Sequence, residues 1–203
     1  MTVPATAALL LHLVLAAPAA GPLCASLPRA VGGTTIDLAP PLGFVDVCAQ
    51  DLALCRTLTA RYPASVQTIA YFVPASEWAA HAQAPTAPFH RYLIAQFAPG
   101  KSAAQLLDVK GFIRSQQADA PPPSQLAEQL RVDGQAGLGV FDDTPDSISF
   151  GALSKMPTPA AGAGTNDLLA MSNTALVLKH QLLSLYVYAT VGDVKQAGAG
   201  GTG

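Results

Sequence analysis

The chain has 203 residues, half of them hydrophobic, and a formal net charge of −2. That length holds one domain with appendages, and that apolar share is ample for one core. Charged residues make up only 12%, with no basic stripe and no run of like charge, which argues against a nucleic-acid partner.

Ala7 to Ala17 is an apolar core of signal-peptide length, too short to span a bilayer comfortably. Ala17-Pro18-Ala19 follows as a small-residue cleavage pattern. Two features depart from the usual signal: no Lys or Arg precedes the core, and His12 interrupts it. Gly21-Pro22-Leu23 before Cys24 lacks the lipoprotein order, so no lipid anchor is expected. Residues 1–26 are therefore expected to be a signal peptide and cleavage region. A periplasmic or secreted protein follows, with no transmembrane segment after signal removal. Whether Cys24 survives depends on where cleavage falls.

Pro18 to Thr34 reads as irregular, and Thr35 to Leu38 as a short strand. Phe44 to Cys48 follows the turn Pro40 to Gly43. Gln50 to Tyr62 is a helix, with Leu54, Leu58 and Tyr62 recurring every four residues and Pro63 ending it. Val66 to Val73 is a strand ending in the continuous apolar run Ile69 to Val73, the kind covered on both faces. Ser76 is placed to cap a short helix. Ala84 to Pro88 is a loop, and Phe89 to Phe97 a strand stopped by Pro99-Gly100. Ser102 and Gln105 form a capping box before a helix that aligns Leu106, Val109 and Ile113. Asp119 to Ser124 is a proline-rich linker, and Gln125 to Val132 a helix ended by Asp133-Gly134. Leu138 to Phe141 and Ser147 to Phe150 are strands joined by an acidic turn. Thr158 to Thr165 is a flexible loop. Ala175 to Leu178 and Leu182 to Val191 form the closing hairpin through Lys179-His180-Gln181. Residues 192–203 read as a disordered tail. Together these place a single α+β domain at 35–191: a mixed, largely antiparallel sheet with helices packed mainly on one face.

The last strand alternates strictly. Leu183, Leu185, Val187, Ala189 and Val191 share one face, expected to be core. Tyr186 and Tyr188 lie on the other, expected to meet solvent or a partner. Tyr71 and Tyr92 also fall in strands, and His90 shares a face with Tyr92. These five residues, Tyr71, Tyr92, Tyr186, Tyr188 and His90, form the candidate ligand or partner surface, apolar in body and hydrogen-bonding at the tip. β propensity alone also places tyrosine in strands.

Cys48 and Cys55 have six residues between them. In an oxidising compartment they read as a disulfide, and otherwise as two buried thiols. Asp142, Asp143 and Asp146 are the only acidic cluster, readable as a solvated turn or as the carboxylates of a small secreted hydrolase working with a distant His. His81, His90 and His180 stand at no ligand spacing, no Gly-x-Ser-x-Gly elbow is present, and Gly134, Gly137 and Gly139 do not fit a phosphate-binding order. No catalytic residue, metal or cofactor is therefore assigned.

The segment Leu42-Gly43-Phe44-Val45-Asp46-Val47-Cys48, with Tyr71-Phe72-Val73-Pro74 and Leu185-Tyr186-Val187-Tyr188, resembles a family of uncharacterised exported bacterial proteins. The order of elements is similar to the PsbP/Mog1-like α/β sandwich. That resemblance implies a non-enzymatic binding or assembly role, with an envelope protein or a small ligand as partner.

Overall fold

The computed structural model describes residues 27–117, 121–155 and 168–191, and its first strand forms where the sequence reads as irregular. Leu27–Val31 (β1) pairs antiparallel with Thr34–Leu38 (β2). Gly32 and Gly33 both take positive φ in the turn between them, the conformation that a two-residue hairpin needs. Gly32 is further constrained, because a Cβ there would lie 2.5 Å from the Gln181 side chain. The signal region, Cys24, the 158–165 loop and the 192–203 tail lie outside the described residues.

Seven further strands build one sheet. They are Phe44–Asp46 (β3), Gln67–Pro74 (β4), Arg91–Ser102 (β5), Gln135–Thr144 (β6), Ser147–Lys155 (β7), Leu168–Leu178 (β8) and Gln181–Val191 (β9). Their order is β3-β4-β5-β9-β8-β7-β6. A mixed sheet was expected, but every ladder among the described residues is antiparallel. Two-residue turns join β6 to β7 and β8 to β9, while longer helical segments return the chain antiparallel between β3, β4 and β5. Pro99-Gly100 does not stop β5, which continues to Ser102 beyond a shift of register after Phe97. The β8–β9 turn matches its expected position. Lys179 and His180 both hold positive φ there, an uncommon state for residues other than glycine.

The helices are Val47–Gln50 (α1), Leu52–Thr59 (α2), Ala75–Gln83 (α3), Leu106–Gln117 (α4) and Pro123–Asp133 (α5). Phe44 to Cys48 is thus strand only as far as Asp46. The Asp46 carboxylate accepts from the Cys48 N–H at 3.0 Å and turns the chain into α1. Asp51 caps α2 in the same way through Leu54 N–H at 2.9 Å. Ser76 does not cap α3, which starts one residue earlier after Pro74. The capping box at Ser102 forms as read, and Gly134 ends α5 in the left-handed conformation.

Alternation across the sheet decides what each element covers. The hairpin β1–β2 packs Val31 and Ile36 onto Phe72, Phe97 and Leu183. Helices α1 to α3 pack on the opposite face, over Tyr71, Val73 and Ile94. Helix α4 covers that same face further along, against Ile148, Ala175 and Leu182. Helix α5 packs on Leu153 and Leu168. Leu153 and Ile148 have opposite parity on β7, so α5 shares the face of the β1–β2 hairpin. Among the described residues, helices therefore lie on both faces of the sheet. No helix among the described residues is long and apolar enough to cross a membrane.

Cys48 and Cys55 are bridged, with Cα atoms 4.8 Å apart. The bond ties α1 to α2, and closing so short a loop contributes about 2–3 kcal/mol on a chain-entropy argument.

Candidate functional site

All five tyrosines gather on one face of the sheet, under α1 to α3. The register explains this. Tyr92 pairs with Tyr188 across β5 and β9, and Ile94 lies between Tyr71 and Tyr186. The rings stack in a ladder, with Tyr71–Tyr92 centroids 5.4 Å apart, Tyr92–Tyr188 4.8 Å and Tyr186–Tyr188 6.2 Å. Tyr62, at the end of the α2 segment, packs against the same cluster.

The sequence reading placed these four strand tyrosines on one surface, and they do share it. It also expected that surface to face solvent, opposite the helices. The structure reverses this. Tyr71 is 1% exposed, and Tyr92, Tyr186 and Tyr188 are half-buried beneath the helical roof. The aliphatic face is covered by β1–β2 instead, and only in part, since Val187 is 40% exposed. The physical reason is that tyrosine carries a large apolar ring and suits a covered face as well as an open one. His90 stands apart at the start of β5. It is exposed, and its backbone N–H donates to Glu77 Oε2 at 2.7 Å.

A cavity of about 460 Å³ opens beside the ladder. Leu54, Leu58 and Arg61 wall it from α2 and the turn after it, Tyr71 and Tyr92 from the sheet, and Leu169 and Thr190 from β8 and β9. His81, Ala87 and Phe89 close the remaining side. His81 Nδ1 lies 3.2 Å from the Ala87 carbonyl oxygen, so that nitrogen carries the proton and donates. Its ring packs 4.9 Å from Phe89, and Trp78 lies 6.2 Å beyond. The volume falls within the range of small-molecule sites, and the lining is mostly apolar with a few polar groups, as such sites are.

Arg61 supplies the permanent charge. Its guanidinium sits over the Tyr62 ring at 5.2 Å and the Tyr92 ring at 5.7 Å, an attractive geometry for a cation. Burial works to lower its pKa, but the Tyr62 hydroxyl, helped by Tyr92 and Tyr71, outweighs it and holds the group above its ordinary value. Burial pushes the Tyr71 hydroxyl well up, Tyr92 adds to this, and Arg61 only partly opposes it. Burial likewise raises Tyr62 against the pull of Arg61, and takes Tyr188 up to about 12. Sequence reading missed Arg61. The available signal was its place directly before Tyr62, at the end of the stripe that carries Leu54 and Leu58.

These shifts fix a pH dependence. A phenol whose pKa is raised on folding stabilises the fold fully below its unfolded value near 10.0, and that contribution is lost as pH rises through about 12. Stability is therefore expected to hold up to pH 10 and to fall steeply above it. Phenolate absorbance from Tyr71 and Tyr188 should appear together with loss of circular dichroism. Ionisation of all five tyrosines near pH 10 in a fully folded protein would show that Tyr71 and Tyr188 are open to water.

The acidic turn is a structural joint. Asp143 accepts from Lys110 Nζ at 3.0 Å and from Arg114 Nε at 2.8 Å. The hydrogen bond from Arg114, followed by that from Lys110, holds its carboxyl below the usual range. Lys110, 4% exposed, also donates to the Thr144 carbonyl and so anchors α4 on the β6–β7 turn. Asp142 accepts from the Ser147 hydroxyl at 3.3 Å. Neither hydrogen-bonds to a histidine, and no group of His, Cys, Asp or Glu suited to a metal exists among the described residues. No protein-family model matches the chain, and no curated protein matches it.

Proposed function

We propose that the protein is an exported, non-enzymatic binding module that holds a small ligand in the groove between α2, the α3–β5 loop and the tyrosine ladder. The observation that carries this reading is the cavity itself, apolar in its walls and bordered by Arg61, Tyr71 and Tyr92. The Cys48–Cys55 bridge supports an oxidising destination, since such bonds persist outside the cytoplasm. The resemblance to exported bacterial proteins and to the PsbP/Mog1-like sandwich belongs to the same proposal. The hydrolase alternative gains no support, because Asp143 is committed to Lys110 and Arg114.

The test is native mass spectrometry of the full chain recovered from its own cell envelope or medium. The expected result is an added small-molecule mass on the wild type that is absent from Ala87→Phe, which fills the groove from its loop side. N-terminal sequencing of the same sample should begin between Ala17 and Ser26. An intact Met1 on cytoplasmic protein, or no bound mass on either form, would count against the reading.

A further inference from the structure

We infer that the groove selects an aromatic monocarboxylate, with its ring against Phe89, Leu58 and Tyr92 and its carboxylate on the Arg61 guanidinium. This rests on the groove being a ligand site, as proposed above, and adds the ligand's charge and shape.

The charge balance of the lining points this way. Arg29, Arg91, Arg114 and Arg131 each have a carboxylate partner. Arg61 has none among the described residues, although it borders a cavity. Arg56 also lacks one, but it is exposed on α2 and lines no part of the groove. Among the described residues, no acidic side chain lines the groove to neutralise Arg61 from within. The tyrosine faces beneath the guanidinium attract it and hold its plane, but carry no full negative charge. An anion entering the groove would therefore meet a cation already positioned. Arg61 is itself exposed, so the pair forms at the water-facing rim of the groove, where charge-assisted hydrogen bonds to the guanidinium still favour it.

The number of charges narrows the class. Among the described residues of the lining, Arg61 is the one of permanent positive charge. A single carboxylate matches it in charge, and its two oxygens match the planar guanidinium fork. A phosphate monoester would bring nearly two charges into a site with one arginine. The rest of the lining asks for a flat apolar body. Phe89, Tyr71 and Tyr92 present aromatic surface, while Leu54, Leu58 and Leu169 complete the wall.

Calorimetric titration of the full chain with naphthylacetate and with naphthylacetamide separates charge from shape. Wild type should bind the acid at least about tenfold more tightly than the amide, the scale of one charge-assisted hydrogen-bonded pair. Arg61→Gln should remove that difference, weakening the acid far more than the amide. Arg61→Lys should restore part of it, because the charge returns without the fork. Because Arg61 also packs on the Tyr62 and Tyr92 rings, the titrations are compared at a temperature where thermal melts show wild type and both variants fully folded. Equal binding of acid and amide by wild type would overturn the carboxylate inference while leaving the ligand-binding reading in place. Binding of neither probe, by wild type or variants, would overturn both.

Discussion

Replacing Tyr71 by alanine lowers the stability of the fold by about 3–5 kcal/mol, the range for removing a large buried aromatic ring. Tyr71 is 1% exposed, packs with Val47, Cys55 and Ile94, and stacks on Tyr92. Deletion removes the ring's own burial and leaves a void beneath α2 that rigid neighbours cannot fill. Tyr71→Phe keeps the ring and loses only the hydroxyl beside Arg61, so it should cost about 1 kcal/mol. Phe112→Ala serves as the control. Phe112 is 68% exposed on α4, and its loss should change stability by no more than about 0.5 kcal/mol. Denaturant midpoints at constant slope measure all three. If Tyr71→Ala behaved like Phe112→Ala, the tyrosine face would not be core.

This expectation is the reverse of what alternation in β9 suggested. The period of two correctly separates Leu183 and Leu185 from Tyr186 and Tyr188. It cannot say what covers each side, because that depends on elements far away in the chain. Here α1 to α3 lie over the tyrosines, while β1–β2 stops short of Val187. β1 itself was hidden because Pro28 and Arg29 break its apolar pattern, and its neighbours Gly32-Gly33 read as loop. The elements read most accurately were those with local causes: the Ser102 capping box, the Gly134 stop and the Lys179-His180 turn. The groove was readable only in fragments. Leu54, Leu58 and Tyr92 were recognised as one side of a helix or strand, but no local signal brings Leu169 beside them.

Asp46→Ala is expected to cost about 3 kcal/mol, at the low end for breaking a largely buried ion pair because Arg29 keeps some contact with water. Asp46 is 5% exposed and holds Arg29 at 2.5 Å, while its other oxygen caps α1. One carboxylate thus joins β1 to the start of the helical roof. Its loss strands the guanidinium of Arg29, whose Nε already has no hydrogen-bond partner in the structure. Asp46→Asn keeps an acceptor for the Cys48 N–H and should cost about 2 kcal/mol. Combining Asp46→Leu with Arg29→Met should recover most of the loss, since paired removal leaves no buried charge. A loss below about 0.5 kcal/mol for Asp46→Ala would mean that the pair is solvated.

The strand order has a kinetic consequence. β3-β4-β5 and β6-β7-β8-β9 are each meanders of sequence neighbours, able to zip locally. They meet along the single seam between β5 and β9, where Arg91 pairs with Ala189 and Gln96 with Ser184. Closing that seam spans nearly half the chain and is the costly step in loop entropy. The groove straddles it, with Leu58 and Tyr92 from one meander and Leu169 and Thr190 from the other. No ligand site exists before the seam closes. A molecule bound there would add its affinity to the closed form alone and act as a clasp between the two meanders.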